Sequence, residues 1–408
     1  QTNQQEMKTN QGGTVRMVAK EYTMAFVLVT SLFLLWGGAR AILDVLNKHF
    51  QDTLDVSKAQ SAMVQMAVYM AYFIGAYPAG MLIRKYGTRK GVITGLCLFA
   101  AGSFLFIPIS GLSQFACFLI PLFILGCGLV LLETAANPYV TLLGDPRTSA
   151  GRLNLSQSFN GLGCILGVLL GGALLLDEGA EANVATPYAI IGGIVVVVAL
   201  LFTQVKLPEV VTEHPDHSED DEKKPLGVVF WFGFAALLSY EISEISINTF
   251  FINFMCDDGF MTKGEAAKVL SICGLGLFML GRVIGSLFMQ RIATEKIMLV
   301  CALGTVATVG MALCPFGAVS KYSLILCYAF ESIMFPTIFA LAIRGQKGNT
   351  ERASSILMMT VVGGAIGPLA LGYVADNFGT TAGFAIPFAT FLVVLAFALY
   401  SLMHMRKH

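Results

Sequence analysis

Glu133 stands in the stretch Leu131-Leu-Glu-Thr-Ala-Ala-Asn-Pro-Tyr139, at the end of an apolar run that begins near Phe115. Burial disfavours the charged form of a carboxylate, so an acid in such a place is a group that could load and release a proton. Asn137 follows one turn later, on the same helix face. Asp44 has Arg40 one turn before it, a spacing suited to an ion pair. Asn154, Gln157 and Asn160 recur at steps of three, and Tyr240, Glu244 and Asn248 at steps of four, with Glu241 alongside. On insertion scales an ionisable group in lipid costs roughly 2.5–3.5 kcal/mol. These stripes must therefore face a cavity or one another. Amides, carboxylates and a few aromatics (Trp36, Tyr69, Tyr72, Tyr139, Phe251) suit a small polyhydroxylated solute, whose hydroxyls donate and accept while its C–H faces stack on rings.

All five histidines, His49, His214, His217, His404 and His408, fall at segment ends, in the charged stretch between the halves or in the tail. Carboxylates are then the remaining proton carriers. Structural roles compete with these readings: Glu133 could be bonded to a neighbouring helix, and Arg40 with Asp44 could be a fixed pair. Arg282 and Glu331 are expected toward the cytoplasmic ends of their segments, where they would gate by pairing between helices; Arg84, in the turn after the second segment, joins them as a gating residue. Glu241 is expected near the cytoplasmic start of its segment, in contact with solvent. No nucleotide-binding loop, metal cluster or nucleophile motif is present in the sequence, so neither an enzyme nor a cofactor is expected, and the coupling ion would be the proton. A filter or ring typical of ion channels is likewise missing from the pattern.

The elements that position these residues follow from composition. The 408 residues are 56% hydrophobic and 13% charged, with a mean hydropathy of +0.72, far from a soluble domain. Apolar runs long enough to cross a bilayer core of about 30 Å occur at 23–48, 59–83, 91–110, 114–142, 153–176, 186–205, 227–255, 265–289, 295–316, 321–343, 353–375 and 382–404. Backbone groups in lipid need internal partners, so the runs are helices and the fold class is all-α, a polytopic membrane protein with twelve transmembrane helices. Basic residues collect on one side (Arg84, Lys85, Arg89, Lys90, Arg147, Arg152, Arg344, Arg352). The other side carries Lys48, Lys58, Lys263, Lys268 and Lys321, which predicts cytoplasmic termini. The net charge is zero, so nothing calls for nucleic acid. No cleavable signal peptide is expected, and the scattered cysteines read as reduced packing residues.

Residues 207–225 form the one long charged stretch between segments and read as a cytoplasmic linker. The organisation predicted is an N-terminal tail at 1–22, a six-helix bundle at 23–206, the linker, a second bundle at 226–404 and a tail at 405–408. The halves resemble each other. Arg152, Gly163, Gly167 and Gly172 match Arg352, Gly363, Gly367 and Gly372, Glu133 and Pro138 match Glu331 and Pro336, and Gly80 and Lys90 stand beside Gly285 and Glu295. Together these matches indicate an internal duplication. Two pseudo-symmetric six-helix halves related by an axis along the membrane normal describe the major facilitator fold, with substrate bound between them.

Three stretches carry a closer likeness. Ser31-Leu-Phe-Leu-Leu-Trp36 with Asp44, Leu132-Glu-Thr-Ala-Ala-Asn-Pro-Tyr139, and Arg152-Leu-Asn-Leu-Ser-Gln-Ser-Phe-Asn160 resemble the bacterial L-fucose–proton symporter family, which also holds glucose/galactose transporters. Phe335-Pro-Thr-Ile-Phe339 and Met359-Thr-Val-Val-Gly-Gly364 look like its later segments. The resemblance implies that Glu133 takes the proton, that Asp44 assists coupling and substrate binding, and that Gln157 and Asn160 hold sugar hydroxyls. An acid or amide often stands at the position of Glu244. Asn137, Asn154, Arg40, Trp36, Tyr240 and Asn248 complete the expected lining. The sequence departs from the pattern at Arg40, where fucose carriers are asparagine-rich; the arginine either replaces amide contacts to sugar or neutralises Asp44. It departs again at Arg84, where many members have Asp. The expectation is a proton-coupled symporter of a monosaccharide, L-fucose or a related hexose, in a bacterial inner membrane, acting as a monomer with lipid and sugar as its partners. A drug– or amphiphile–proton antiporter and a non-transporting sugar sensor are the alternatives.

Overall fold

The computed structural model describes residues 18, 20–112, 114–144, 149–177, 183–205, 225–289, 291–344, 353 and 356–405. Most of the predicted linker, the first 17 residues, Arg147 and Arg352 lie outside the described residues. Twelve helices are long and apolar enough to cross a membrane: α1 Thr23–Leu54, α2 Lys58–Tyr86, α3 Thr88–Ile109, α4 Phe115–Leu142, α5 Leu155–Leu175, α6 Ala185–Gln204, α7 Val228–Cys256, α8 Lys263–Gly285, α9 Thr294–Leu313, α10 Ala318–Ile343, α11 Ile356–Phe378 and α12 Thr380–Met403. The helix of α5 extends back to Ser149. Twelve crossings put both chain ends on one side, called here the terminal side.

Glycines decide which helices touch. A Cβ at Gly163 of α5 would fall on the Leu34 carbonyl oxygen of α1, one at Gly167 on that of Gly38, and one at Gly37 on that of Asn160. In the second half, Gly363 and Gly367 of α11 press in the same way on Leu238 and Ile242 of α7. The equivalent positions read from the sequence therefore do equivalent work: each lets the fifth helix of its half lie backbone to backbone on the first, as small residues do in membranes. Gly163→Val should cost on the order of 1–3 kcal/mol through overpacking and lower the melting temperature of the purified protein. Gly80→Ala, where a Cβ meets open space, should leave it in place.

Arg152 is fully buried. Its Nε donates to the carbonyl of Val140 at 3.0 Å and Nη2 to that of Thr141 at 2.5 Å. It thereby satisfies two of the carbonyls left over at the C-terminal end of α4. Arg152→Ala would strand them out of water, a loss on the order of 3 kcal/mol. A melting curve should show it, with Arg152→Lys recovering only part because lysine has no fork of donors. At the same side, Arg344 pairs with the buried Glu295 and ties the end of α10 to the start of α9.

The two halves meet on the side opposite the termini. Lys58 of α2 pairs with Asp257 at 2.7 Å, Lys263 of α8 with Asp52 at 2.7 Å, and Lys268 of α8 with Asp177 at 3.1 Å. Asn253 donates to Gln51 and Asn47 to the Thr249 carbonyl. Deeper in, Ser271 reaches the Ile165 carbonyl at 2.9 Å. These hydrogen bonds and ion pairs between the halves run from mid-membrane to this opposite side. These contacts close the molecule on that face.

That closure is itself duplicated. Helix α2 begins with a capping box made by Ser57 and Gln60, and α8 with one made by Thr262 and Glu265. Over the first sits Asp376, from the end of α11, which accepts from the backbone N–H groups of Lys58 at 2.8 Å and Ala59 at 2.9 Å. Against the second sits Asp177, from just past α5, so close to Gly264 that a Cβ there would overlap its Oδ1. Gly372 against Ala59 and Gly172 against Ala267 bring the backbones together at the same two places. A carboxylate at a helix N-terminus is favourable, and here each half supplies one to the other.

Candidate functional site

The polar residues converge at mid-membrane on the seam. Arg40 reaches away from Asp44 toward α2 and α4. Its Nη1 lies 3.8 Å from Oε1 of Glu133, and Nη2 donates to the Tyr69 hydroxyl at 2.7 Å. The guanidinium also stacks over the rings of Tyr69 and Tyr72, 5.4 and 6.0 Å from their centroids, contacts worth most where water is scarce. The expected pairing of Arg40 with Asp44 is therefore corrected: no ion pair joins them, and Asp44 accepts from Nε2 of Gln65 at 2.8 Å instead. The reason is geometric. Glu133 on α4 offers a better-placed carboxylate than a residue on the same helix, and the side chains of Glu133 and Arg40 remain 20% and 34% exposed, so the pair is reachable from the gap.

Both halves carry groups without partners. The carbonyl oxygens of the Asn137 and Asn248 side chains are buried with no hydrogen-bond partner among the described residues, while the buried Tyr72 hydroxyl lies beside Glu133. An unmet amide or hydroxyl out of water costs about 1–3 kcal/mol. Asn137 stands one turn beyond Glu133 on α4 and Asn248 one turn beyond Glu244 on α7, so an acid of each half has an unmet amide near it. Gln157 is half-buried in the same part of α5. Asn160, also half-buried, is partly committed: its Nδ2 donates to the Phe33 carbonyl at 3.3 Å. The side chain of Asn154 lies outside the described residues.

Other expected residues sit elsewhere. Trp36 is 1% exposed and packs on Phe33 with centroids 4.2 Å apart; it belongs to the core of the first bundle rather than to the lining. Tyr139 and Phe251 are buried as well. Tyr240 is fully buried and donates to the Glu331 carbonyl at 3.2 Å, an anchoring contact. Arg84 is exposed at the terminal side of α2.

The second half holds its own acids. Glu331 lies where α10 breaks between Glu331 and Met334. Pro336 cannot donate to the Ser332 carbonyl, and Arg282 takes that orphan with its Nε at 3.0 Å. Glu331 is fully buried, with Oε1 unpartnered and Oε2 met by the Cys327 thiol at 3.9 Å. It therefore sits at mid-span, away from the helix ends where it was expected, and no ion pair joins it to Arg282. Glu244 lies in the electrostatic reach of Arg282 and beside Tyr240. Glu241 also lies elsewhere than the sequence reading expects. It is 5% exposed, packed on Gly363, and within electrostatic reach of Arg40 and Glu133. Its spacing from Glu244 allowed this, but the count of residues from the helix start pointed to solvent.

Two bundles, each folded on its first helix and joined by a polar seam with a reachable carboxylate, define a secondary carrier. The chain belongs to the major facilitator superfamily, whose family model matches residues 25–359, and within it to the family of the fucose and glucose/galactose carriers. It is 33% identical to a glucose/galactose transporter of Brucella abortus, over 93% of this chain and 94% of that protein. It is 34% identical to an L-fucose-proton symporter of Escherichia coli, over 93% of this chain and 92% of that one. A crystal structure of the major facilitator transporter FucP in the outward conformation superposes with a TM-score of 0.69 at 32% identity, covering 94% of this chain and 99% of that one.

Proposed function

We propose that this protein is a proton-coupled monosaccharide symporter of a bacterial inner membrane, with both termini cytoplasmic, and that the described state is open to the cytoplasm. The observation that carries the reading is Glu133, held by Arg40 on the seam one turn from the unpartnered amide oxygen of Asn137 and open to the gap. Support comes from the relatives, which are named L-fucose-proton symporters or glucose/galactose transporters. The basic residues of the loops favour the terminal side as cytoplasmic. The substrate is L-fucose or a related hexose, the coupling ion is the proton, no other cofactor takes part, and the carrier acts as a monomer.

The cycle follows from the charges. Protonation of Glu133 from outside removes the anion that holds Arg40, whose donors, with those of Gln157, then turn to sugar hydroxyls. Rocking of the halves exposes the sugar to the cytoplasm, and its departure lets Arg40 reclaim Glu133 as the proton leaves. Differential affinity of the two states for sugar and proton is what couples them. Counterflow with labelled fucose, galactose, glucose and arabinose in proteoliposomes tests the substrate class. Exchange of at least one hexose is expected; no exchange of any monosaccharide would overturn the reading.

A further inference from the structure

We propose that Gln65 is a positioning residue of the proton site: by donating to Asp44 it keeps that carboxylate off Arg40, and so leaves Arg40 to Glu133. The inference rests on the proton-coupled reading above and names a residue that makes the proton leave. Arg40 and Asp44 stand one turn apart on α1, a spacing at which opposite charges pair. The placement of Glu133 on α4 is one reason they do not; α2, which runs antiparallel to α1, supplies another. Nε2 of Gln65 donates to Oδ1 of Asp44 at 2.8 Å, and one turn further along α2 the Tyr69 hydroxyl accepts from Nη2 of Arg40 at 2.7 Å. In the same register Nε2 of Gln51 donates to the Ser61 hydroxyl at 2.8 Å. Three side-chain bonds thus join α1 to α2, and two of them take the members of the α1 pair separately.

Gln65 is 2% exposed and Asp44 8%, so neither has bulk water as a substitute partner. A buried carboxylate needs donors or a cation, and Gln65 gives Asp44 a donor. Without that amide, the cation within reach of Asp44 is Arg40, one turn back on the same helix. Arg40 can be drawn away, because its contact with Glu133 is loose: 3.8 Å, with both side chains partly exposed, where a direct charged hydrogen bond is about 2.7–2.9 Å. The register of α2 is fixed from the other half as well. The ring of Tyr69 lies against Gly364 of α11 and clusters with Ile245 and Ala365, which keeps both α2 side chains facing the α1 pair.

The consequence concerns the return of the empty carrier. In the cycle proposed above the proton leaves because Arg40 reclaims Glu133. An Arg40 captured by Asp44 would not return. Glu133 would then lack a cation and keep its proton, and the empty carrier would take that proton back across the membrane. Such a turn brings in sugar with no net proton, while exchange of sugar for sugar, which needs no proton release, goes on. Gln65 therefore protects coupling by acting through Asp44 and Arg40, and carries no proton itself.

Dicyclohexylcarbodiimide, which labels carboxyl groups that carry a proton in apolar surroundings, reads Glu133 without transport. The detergent-solubilised full chain is treated at neutral pH without sugar, and mass spectrometry locates the label. Gln65→Met, which keeps the length of the side chain and loses the donor, should raise labelling at Glu133 about tenfold, the change that about one unit of proton affinity gives. Gln65→Leu is a second donor-less variant with the same expectation. Asp44→Asn alone should leave Glu133 at the parent level, and Asp44→Asn added to Gln65→Met should return it there, because asparagine does not capture the guanidinium. Unchanged labelling in a folded donor-less variant overturns the proposal, and so does a rise that persists when Asp44→Asn is added. Where the parent takes up protons with sugar, Gln65→Met should lower accumulation relative to counterflow by about the same factor; equal loss of both, or loss of neither, overturns it. A chain that shows the labelling pattern and moves no proton with sugar would sink the symport reading and leave this one standing.

Discussion

Glu133→Gln should abolish accumulation of sugar against its gradient while sparing counterflow. The glutamine is isosteric with the protonated acid, so the seam keeps its shape and its hydrogen bonds, but the site no longer gives up a proton. A single charge crossing 100 mV is worth roughly 2.3 kcal/mol, enough for about fifty-fold accumulation, and all of that should disappear. Labelled-sugar uptake into energised vesicles measures the loss, and equilibrium exchange in the same vesicles measures what is retained. Loss of folding, seen as a lowered melting temperature, would mean that the Arg40–Glu133 pair serves structure instead. The 3.8 Å separation and the partial exposure of both side chains favour the coupling role, since a structural pair at this depth is expected to be tighter and fully satisfied.

The second large effect concerns the closed face. Asp177→Ala and Asp376→Ala together should shift the molecule toward the state open on the opposite side. Each removes a carboxylate from a helix N-terminus of the other half, and Asp177 also loses its ion pair with Lys268. At about 1 kcal/mol each for a partly exposed group, the pair amounts to roughly a thirty-fold change in the balance of the two states. Cysteine accessibility on either face, or the distance between spin labels placed at the ends of α2 and α8, would read it. Either single change should give about half the free energy, because the two contacts lie in separate places related by the duplication. Equal populations in the parent and the double variant would mean that the deeper contacts, such as Asn47 with the Thr249 carbonyl and Asn253 with Gln51, hold the face closed by themselves.

Most of the architecture was legible because lipid leaves so few choices. Twelve apolar runs had to be helices, and their predicted edges fall within a few residues of the observed ones apart from α1, which continues from 48 to Leu54. The glycine matches at offset 200 were also readable: Gly163 with Gly363 and Gly167 with Gly367 prove to be where fifth and first helices touch, and Gly172 with Gly372 where each fifth helix meets the other half. What escaped was side-chain direction. Arg40 and Asp44 have the spacing of a pair, yet the guanidinium leaves its own helix for Glu133 and Tyr69, a choice made by neighbouring helices that one segment does not reveal. Glu241 was assigned to solvent by its distance from the helix start, whereas close packing on Gly363 buries it. Trp36 carries a motif but faces inward on Phe33. Asp177 and Asp376 went unremarked, although they stand 199 residues apart in the two halves and could have been found by extending the duplication past the glycines.

The central claim is that a proton enters with the sugar by way of Glu133. A pH electrode in a lightly buffered suspension of cells making this protein tests it most directly, when sugar is added without other energy. The account predicts alkalinisation of the medium with the parent and none with Glu133→Gln, at equal amounts of folded protein in the membrane. Sugar entry without any alkalinisation in the parent, or alkalinisation that persists in Glu133→Gln, would contradict it.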